Sequence, residues 1–334
     1  MTAHRVRDLR STKVRVRRGQ VYGRGDQSPG VRVDDLTRYL ARDFMRLEAG
    51  DRLPTVRALA AEHGASLASV QTALARLESE GAVTIVRRGR LGAYLESRSL
   101  PGLWASSDGP PLVMTMPLPS NLRGQGLATA VKMALEEAGL DTFLTFVRGS
   151  RNRLRALLEG RCHIVVMSGL AATLADDPSL VAVPLPAQTF AEERRVFEHR
   201  ADAEGKRDDK GPLRVVLDSE SSDLQRLTEL EFEGQDVEFV EAVYMQSVAL
   251  IESGQADAAV WDLDETTRRL PPHVTSRPLS AHVREVIGDS ETRAAFVIRA
   301  DDPATQVIVE RILKAPRIVE IQHKVLLGEM VPGY

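Results

Sequence analysis

The sequence predicts a winged helix-turn-helix (α with a β wing) followed by a two-lobed α/β domain. Three observations predict it. Helix signals and a basic hairpin follow one another within the first hundred residues. Short apolar strands then alternate with helices in a βαβαβ run, and a second such run echoes the first. At 334 residues the chain is long enough to bury two or three cores.

Charge divides along the same line. Residues 1–98 hold 19 Lys and Arg against 11 Asp and Glu, a balance of +8, whereas the chain as a whole carries −3. A basic first third on an acidic body directs only that third toward a polyanion.

The elements follow in order. Residues 1–30 form a basic arm, including "KVRVRRG", expected to be flexible. Over 31–48, Leu36, Leu40, Phe44 and Leu47 recur in steps of four and three, which marks one helix face. Pro54 and Thr55 open a short helix to about His63, and Gly64 breaks it. Ser66 is placed to cap the next helix, with apolar face Leu67, Val70, Leu74 and Leu77, and Gly81 ends it. "VTIVRRGRLGAYLES" then reads as a hairpin turning at Gly89. Its tip crowds Arg87, Arg88 and Arg90, whose mutual repulsion is relieved when they lie along a phosphate backbone and release its condensed counterions. Residues 31–98 are therefore expected to form the DNA-binding domain. Ala68, Ser69, Thr72 and Arg76 face away from the apolar stripe of the third helix, toward base edges.

"SLPGLWASSDGPP", 99–111, reads as a linker. In the body, 112–334, "PLVMTMPLP", "DTFLTFVRG" and "CHIVVM" are strands separated by helices, and a second such unit spans about 213–262. The first lobe is expected over 112–200 and 272–334, the second over 213–271. Ligands of such folds bind where strand C-termini meet helix N-termini. The polar residues at those junctions are Ser120, Asn121, Arg123, Arg148, Ser168, Ser219, Ser221, Ser222, Asp223, Tyr244, Gln246, Trp261 and Asp262, with Gly124 and Gly126 allowing close backbone approach. Helix N-termini and arginines favour an anionic group; Asp223 and Asp262 add a place for a cationic one. The effector is expected to be a small anionic or zwitterionic metabolite.

"LPTVRALAAEHGASLASVQTALARLESEGAVTIVRRGRLGAYL" resembles the GntR-type winged helix. "MPLPSNLRGQGLATAV", "GQADAAVWD" and the C-terminal "GEMVPGY" are similar to the YhfZ-type regulators, which join such a domain to one resembling type 2 periplasmic binding proteins. The resemblance covers about 31–334. It implies that Arg57, Arg87, Arg88, Gly89 and Arg90 lie on the DNA backbone. It also implies that the segment from Ser66 to Arg76, Gln71 included, enters the major groove. GntR-type recognition helices usually carry arginine where this chain has Leu67 and Gln71.

An enzyme is not expected. The seven histidines are scattered without metal-ligand spacing, and no G-x-S-x-G elbow, phosphate loop or G-x-G-x-x-G is present. Cys162 and His163 are neighbours on a strand and point to opposite faces. No metal or cofactor is called for. A DNA-tethered enzyme using the same cleft is the alternative. One cysteine fits a reducing compartment, no apolar run spans a bilayer and no h-region follows the basic N-terminus, so a cytoplasmic protein is expected. A double-stranded operator, a small-molecule effector and a second copy of the chain are the expected partners, since one winged helix reads only a short site.

Overall fold

The computed structural model describes residues 31–107, 109, 111–200, 211–264, 267 and 269–334. The arm at 1–30 lies outside them. The first domain runs α1 (Val33–Phe44), α2 (Val56–Glu62), α3 (Leu67–Ser79), β1 (Val83–Arg87) and β2 (Ala93–Arg98). Thr55 and Ser66 cap α2 and α3, accepting from Ala58 N at 3.1 Å and Ser69 N at 3.0 Å. The turn between the two helices passes through Gly64 at φ +62°, a conformation glycine adopts without steric cost. The stripe buried by α3 is Val70, Ala73, Leu74 and Leu77, not the expected one: Leu67, at the first turn, is exposed.

Residues 100–106 of the expected linker are a helix. Ser99 Oγ accepts from Gly102 N at 3.1 Å and caps α4 (Leu100–Ser106), with Pro101 in the first turn, where its missing N–H costs nothing. The Ser, Pro and Gly that read as linker are thus a capping set. Leu103 and Trp104 of α4 are buried in one continuous apolar cluster that joins Leu36, Leu40 and Phe44 of the first domain to Leu112, Leu135 and Ile308 of the body. Glu48 adds a polar clasp, held by Arg98 of the wing at 3.0 Å and by Arg311 of the body. The two domains are packed together over apolar surface, not merely tethered.

The body continues β3 (Leu112–Met116), α5 (Leu122–Glu137), β4 (Thr142–Phe146), α6 (Ser150–Leu158), β5 (Ile164–Ser168), α7 (Gly169–Ala175) and β6 (Leu180–Pro184). Then come β7 (Glu193–His199), β8 (Leu213–Leu217), α8 (Ser222–Glu231), β9 (Val237–Glu241), α9 (Ser247–Glu252), β10 (Ala258–Leu263) and β11 (Val274–Pro278). The chain closes with α10 (Ala281–Ile287), β12 (Ala294–Arg299), α11 (Pro303–Arg311) and α12 (Ala315–Leu326).

Two five-stranded sheets result, ordered β4-β3-β5-β12-β6 and β11-β7-β10-β8-β9. In each, three parallel strands of a βαβαβ unit are joined by antiparallel strands, β12 and β6 in the first and β7 and β11 in the second. This moves the expected lobe boundaries. Residues of 193–199 and 274–278, expected in the first lobe, pair in the second sheet. Helix periodicity identifies βαβ units but carries no information on which sheet an incoming antiparallel strand joins.

The two crossovers, after Pro184 and after Ile287, run side by side. Phe190 N donates to Thr292 O and Ala294 N to Thr189 Oγ1, both at 2.8 Å. Gln188, in the first crossover, has φ +60° and gives its carbonyl to Arg123. Gln322 of α12 donates to Arg123 O at 2.9 Å and to Thr189 O at 2.8 Å, so α12 holds the crossover against the start of α5.

Candidate functional site

The cleft between the lobes is a small cavity of about 70 Å³, room for several waters. From the first lobe come the loop after β3 and the start of α5, with Met116, Leu118, Ser120, Asn121, Gly124 and Leu127, and Arg153 of α6. From the second come Arg194 on β7, Ser221, Asp223 and Leu224 at the start of α8, Tyr244, and Trp261 with Asp262 on β10. Phe190 arrives from the crossover.

Its polar centre is a guanidinium between two carboxylates. The Arg194 side chain is 2% exposed; one Nη touches Asp262 Oδ1 and the other stands 3.5 Å from Asp223 Oδ2. Asp223 is well served, since Ser168 Oγ donates to it at 2.7 Å. Asp262 is not. Its Oδ1 and the Arg194 Nη1 beside it are in contact but too poorly aligned to make a hydrogen bond, and Arg194 Nε has no partner either. Burial therefore dominates at Asp262 and pushes its carboxyl up to about 6, against the pull of Arg194. Arg153 is tied to lobe-one carbonyls, donating to Val166 O at 2.9 Å and Val147 O at 2.8 Å, and burial lowers its guanidinium to about 10. Tyr244 stacks on Trp261 with ring centroids 4.3 Å apart, and the Arg194 guanidinium lies 5.9 Å from the Trp261 ring and 5.8 Å from that of Phe190.

Of the residues expected here, Ser120, Asn121, Gly124, Ser221, Asp223, Tyr244, Trp261 and Asp262 line the cavity. The others are committed elsewhere. Arg148 donates to both oxygens of Asp218, at 3.0 and 2.9 Å. Ser222 meets Ser150, whose Oγ accepts from Ser222 N at 2.9 Å. Ser168 holds Asp223, and Ser219 donates to Glu241 at 2.9 Å. Arg123 serves the crossover, and Gly126 packs α5 against α12, where a Cβ would meet Gln322 at 3.1 Å. Gln246 is exposed and outside the cavity lining. The Arg148, Ser222 and Ser168 bonds form a seam that fastens one lobe to the other. Arg151 adds to it through Ser219 O and Gln225. Asn121 crosses the cleft itself, donating to Asp264 at 3.0 Å while its Oδ1 caps α5.

Sequence reasoning missed Arg194, Arg153 and Phe190. Arg194 sits on an antiparallel strand outside either βαβ unit, and Arg153 reads as one more surface arginine in "SRNRLRALLEG". No local signal distinguishes either from a solvated charge.

In the helix-turn-helix domain, Arg57, Gln71 and Arg90 are exposed, and among the described residues they make no hydrogen bond or ion pair. Ala68 is exposed, Thr72 bonds the Ala68 carbonyl at 3.0 Å, and Ser66 and Ser69 are occupied in the cap. The expected base contact of Arg76 meets an ion pair instead: its guanidinium donates to Glu80 at 2.7 Å and Asp34 at 2.8 Å. The wing arginines also differ from one another. Arg87 is held by Glu78 of α3 at 2.6 Å, and Arg88 lies over the Tyr94 ring at 4.9 Å. The wing turns in a 3-10 segment, Gly89–Leu91, between Gly89 at φ +57° and Gly92 at φ +99°. Arg52 packs against Gly92, where a Cβ would meet its Nε at 3.1 Å; it was not anticipated from the sequence.

Among the described residues no group of His, Cys, Asp or Glu is arranged to hold a metal, and no helix is long and apolar enough to cross a membrane. His163 is structural: its Nδ1 accepts from Val113 N at 3.0 Å and its ring meets Trp104 edge-on.

The fold thus defines a class: a helix-turn-helix domain joined to a two-lobed α/β domain built on two five-stranded sheets. The family described as YhfZ C-terminal domain matches residues 100–334, and a helix-turn-helix domain family matches residues 48–95. The YhfZ protein of Escherichia coli strain K12 is 30% identical over 307 residues, covering 91% of this chain and 97% of that protein. The crystal structure of YhfZ from Shigella flexneri covers 67% of this chain and 93% of its own, at 28% identity and a TM-score of 0.54. The periplasmic aliphatic sulphonate binding protein SsuA from Escherichia coli matches at 13% identity and a TM-score of 0.45, over 65% of this chain and 74% of that one. The chain belongs to the YhfZ family.

Proposed function

We propose that this protein is a cytoplasmic, homodimeric transcriptional regulator whose DNA binding is controlled by a small anionic or zwitterionic effector held between its lobes. The observation that carries this is the coupling of two features. A helix-turn-helix domain is packed through Trp104 onto a body whose cleft keeps a buried guanidinium, Arg194, incompletely bonded. A buried donor without an acceptor costs roughly 1–3 kcal/mol, so such a group favours a ligand that supplies one. The GntR-like reading of the first domain places α3 in the major groove and Arg57 and Arg90 on phosphates. Two copies supply the specificity one short site lacks, with half-sites about one helical turn apart or a multiple of it.

The test is selection of DNA by the full chain from a random library. An inverted repeat bound two-to-one is the expected product. Binding without sequence preference, or a one-to-one complex by light scattering, overturns the corresponding part of the reading.

A further inference from the structure

Arg194 and Asp262 present complementary unmet needs side by side. Arg194 Nε and Nη1 are donors without an aligned acceptor; Asp262 Oδ1 is an acceptor without an aligned donor. Both side chains are buried, 2% and 10% exposed, and both line the cavity. The charges around them already balance, with Arg153 and Arg194 set against Asp223 and Asp262. A plain carboxylate entering this space leaves one negative charge uncompensated, and a plain amine leaves one positive charge. Either leaves a buried charge without its counter-charge, which is costly. A zwitterion preserves the balance and, by parting the Arg194–Asp262 pair, gives each side chain a partner of opposite charge.

Geometry narrows the class further. Since Arg194 and Asp262 touch, the two charged groups of the ligand must sit next to each other. That is the spacing of ammonium and carboxylate on a single carbon, and it excludes ligands whose charges lie several bonds apart. Met116, Leu118, Leu127 and Leu224 then supply an apolar wall for whatever else the carbon bears.

Resting on the reading of the cleft as an effector site, we propose that the effector is an α-amino acid with an apolar side chain, its carboxylate taken by Arg194 and its ammonium by Asp262. Asp262 is the residue that discriminates, because it alone separates an amino acid from its deaminated counterpart.

The test uses the full chain and matched triads of probes, by calorimetry and thermal shift at pH 7.5. One triad is valine, 3-methylbutanoate and 2-methylpropylamine; alanine, leucine, methionine and phenylalanine are treated in the same way. At least one amino acid is expected to bind, with its deaminated and decarboxylated partners each about 100-fold weaker, as befits a buried charge left unpaired. The variant Asp262→Asn is nearly isosteric, and its melting curve checks that it folds. It is expected to reduce the preference for the amino acid over the deaminated acid at least tenfold. A deaminated acid that binds as well as its amino acid overturns the proposal, as does a preference unchanged in Asp262→Asn or a panel in which no amino acid binds. If a small molecule of another class binds and Arg194→Gln abolishes that binding, the cleft remains the effector site and only the amino-acid assignment falls.

Discussion

Arg148 and Asp218 form one of the contacts that join the two lobes, one Nη of the arginine lying 3.0 and 2.9 Å from the two oxygens of a carboxylate that is 1% exposed. Asp218 also accepts from Glu220 N at 3.1 Å, so it stays partly served when the arginine is removed. Arg148→Ala is expected to cost about 2 kcal/mol, the scale of a charged hydrogen bond. It should also loosen the seam. Small-angle scattering should show a larger radius for the variant, and effector affinity should fall through the smaller closed population. An unchanged radius would mean that the seam does not hold the lobes.

Asp262 makes stability depend on pH in a defined direction. Its carboxyl lies at about 6 in the folded chain against an ordinary 3.8, with Arg194 and Arg123 pulling down and burial, Asp264 and Asp223 pushing up. The folded state thus holds this proton more tightly than the unfolded one. The resulting stabilisation is fully present below about pH 4 and is lost as pH rises through 6. Asp262→Asn should remove this dependence: between pH 4 and pH 8 the parent should lose stability relative to the variant by on the order of 3 kcal/mol. Melting curves of both proteins at both pH values check this. A parent and variant with the same pH dependence would show that the Asp262 carboxyl is not displaced by burial.

Arg90 of the wing and Arg76 of α3 should separate in salt titrations. Arg90→Ala is expected to flatten the slope of log K against log salt by about 0.9, the value of one phosphate contact on duplex DNA. Arg76→Ala should leave the slope unchanged, because its guanidinium is engaged by Glu80 and Asp34. Equal slopes for Arg90→Ala and the parent would return the wing to an ordinary charged hairpin.

Trp104 is the mechanical test. It is buried where the two domains meet and packs edge-on against His163. Trp104→Ala should cost about 3 kcal/mol, as large aromatic truncations do. The isolated events should survive: effector still stabilises the body and DNA is still bound. What should be lost is the dependence of DNA affinity on effector, read by gel shift with and without ligand. Retained dependence would mean that coupling runs through Glu48 and Arg311 instead.

The local rules were legible where each residue acts through its own neighbours. Thr55, Ser66 and Ser99 cap helices because a hydroxyl two or three residues before a free N–H needs nothing distant. The error at Leu67 has a local origin too: in the first turn of a helix the side chain points past the end of the packed face, so position in the stripe overstates burial. The helix at 100–106 was not legible because Ser, Pro and Gly read as loop formers, when Ser99, Pro101 and Gly102 start a helix once Leu103 and Trp104 have a core to enter.

By itself, the sequence determined the helices and hairpin of the winged helix-turn-helix, the two βαβαβ units and the strand–helix junctions, because periodicity, caps and glycine breaks are properties of short segments. Only the tertiary structure decided which polar residues face the cavity and which are consumed in joining the lobes. Ser221 lines the cleft while Ser222 bonds Ser150; Asp223 and Asp262 flank Arg194, a residue on a strand that reaches the second sheet only by crossing from the first. Those pairings link residues 29 to 72 positions apart, and what sets them is how two sheets close on each other, for which a local stretch of sequence carries no signal.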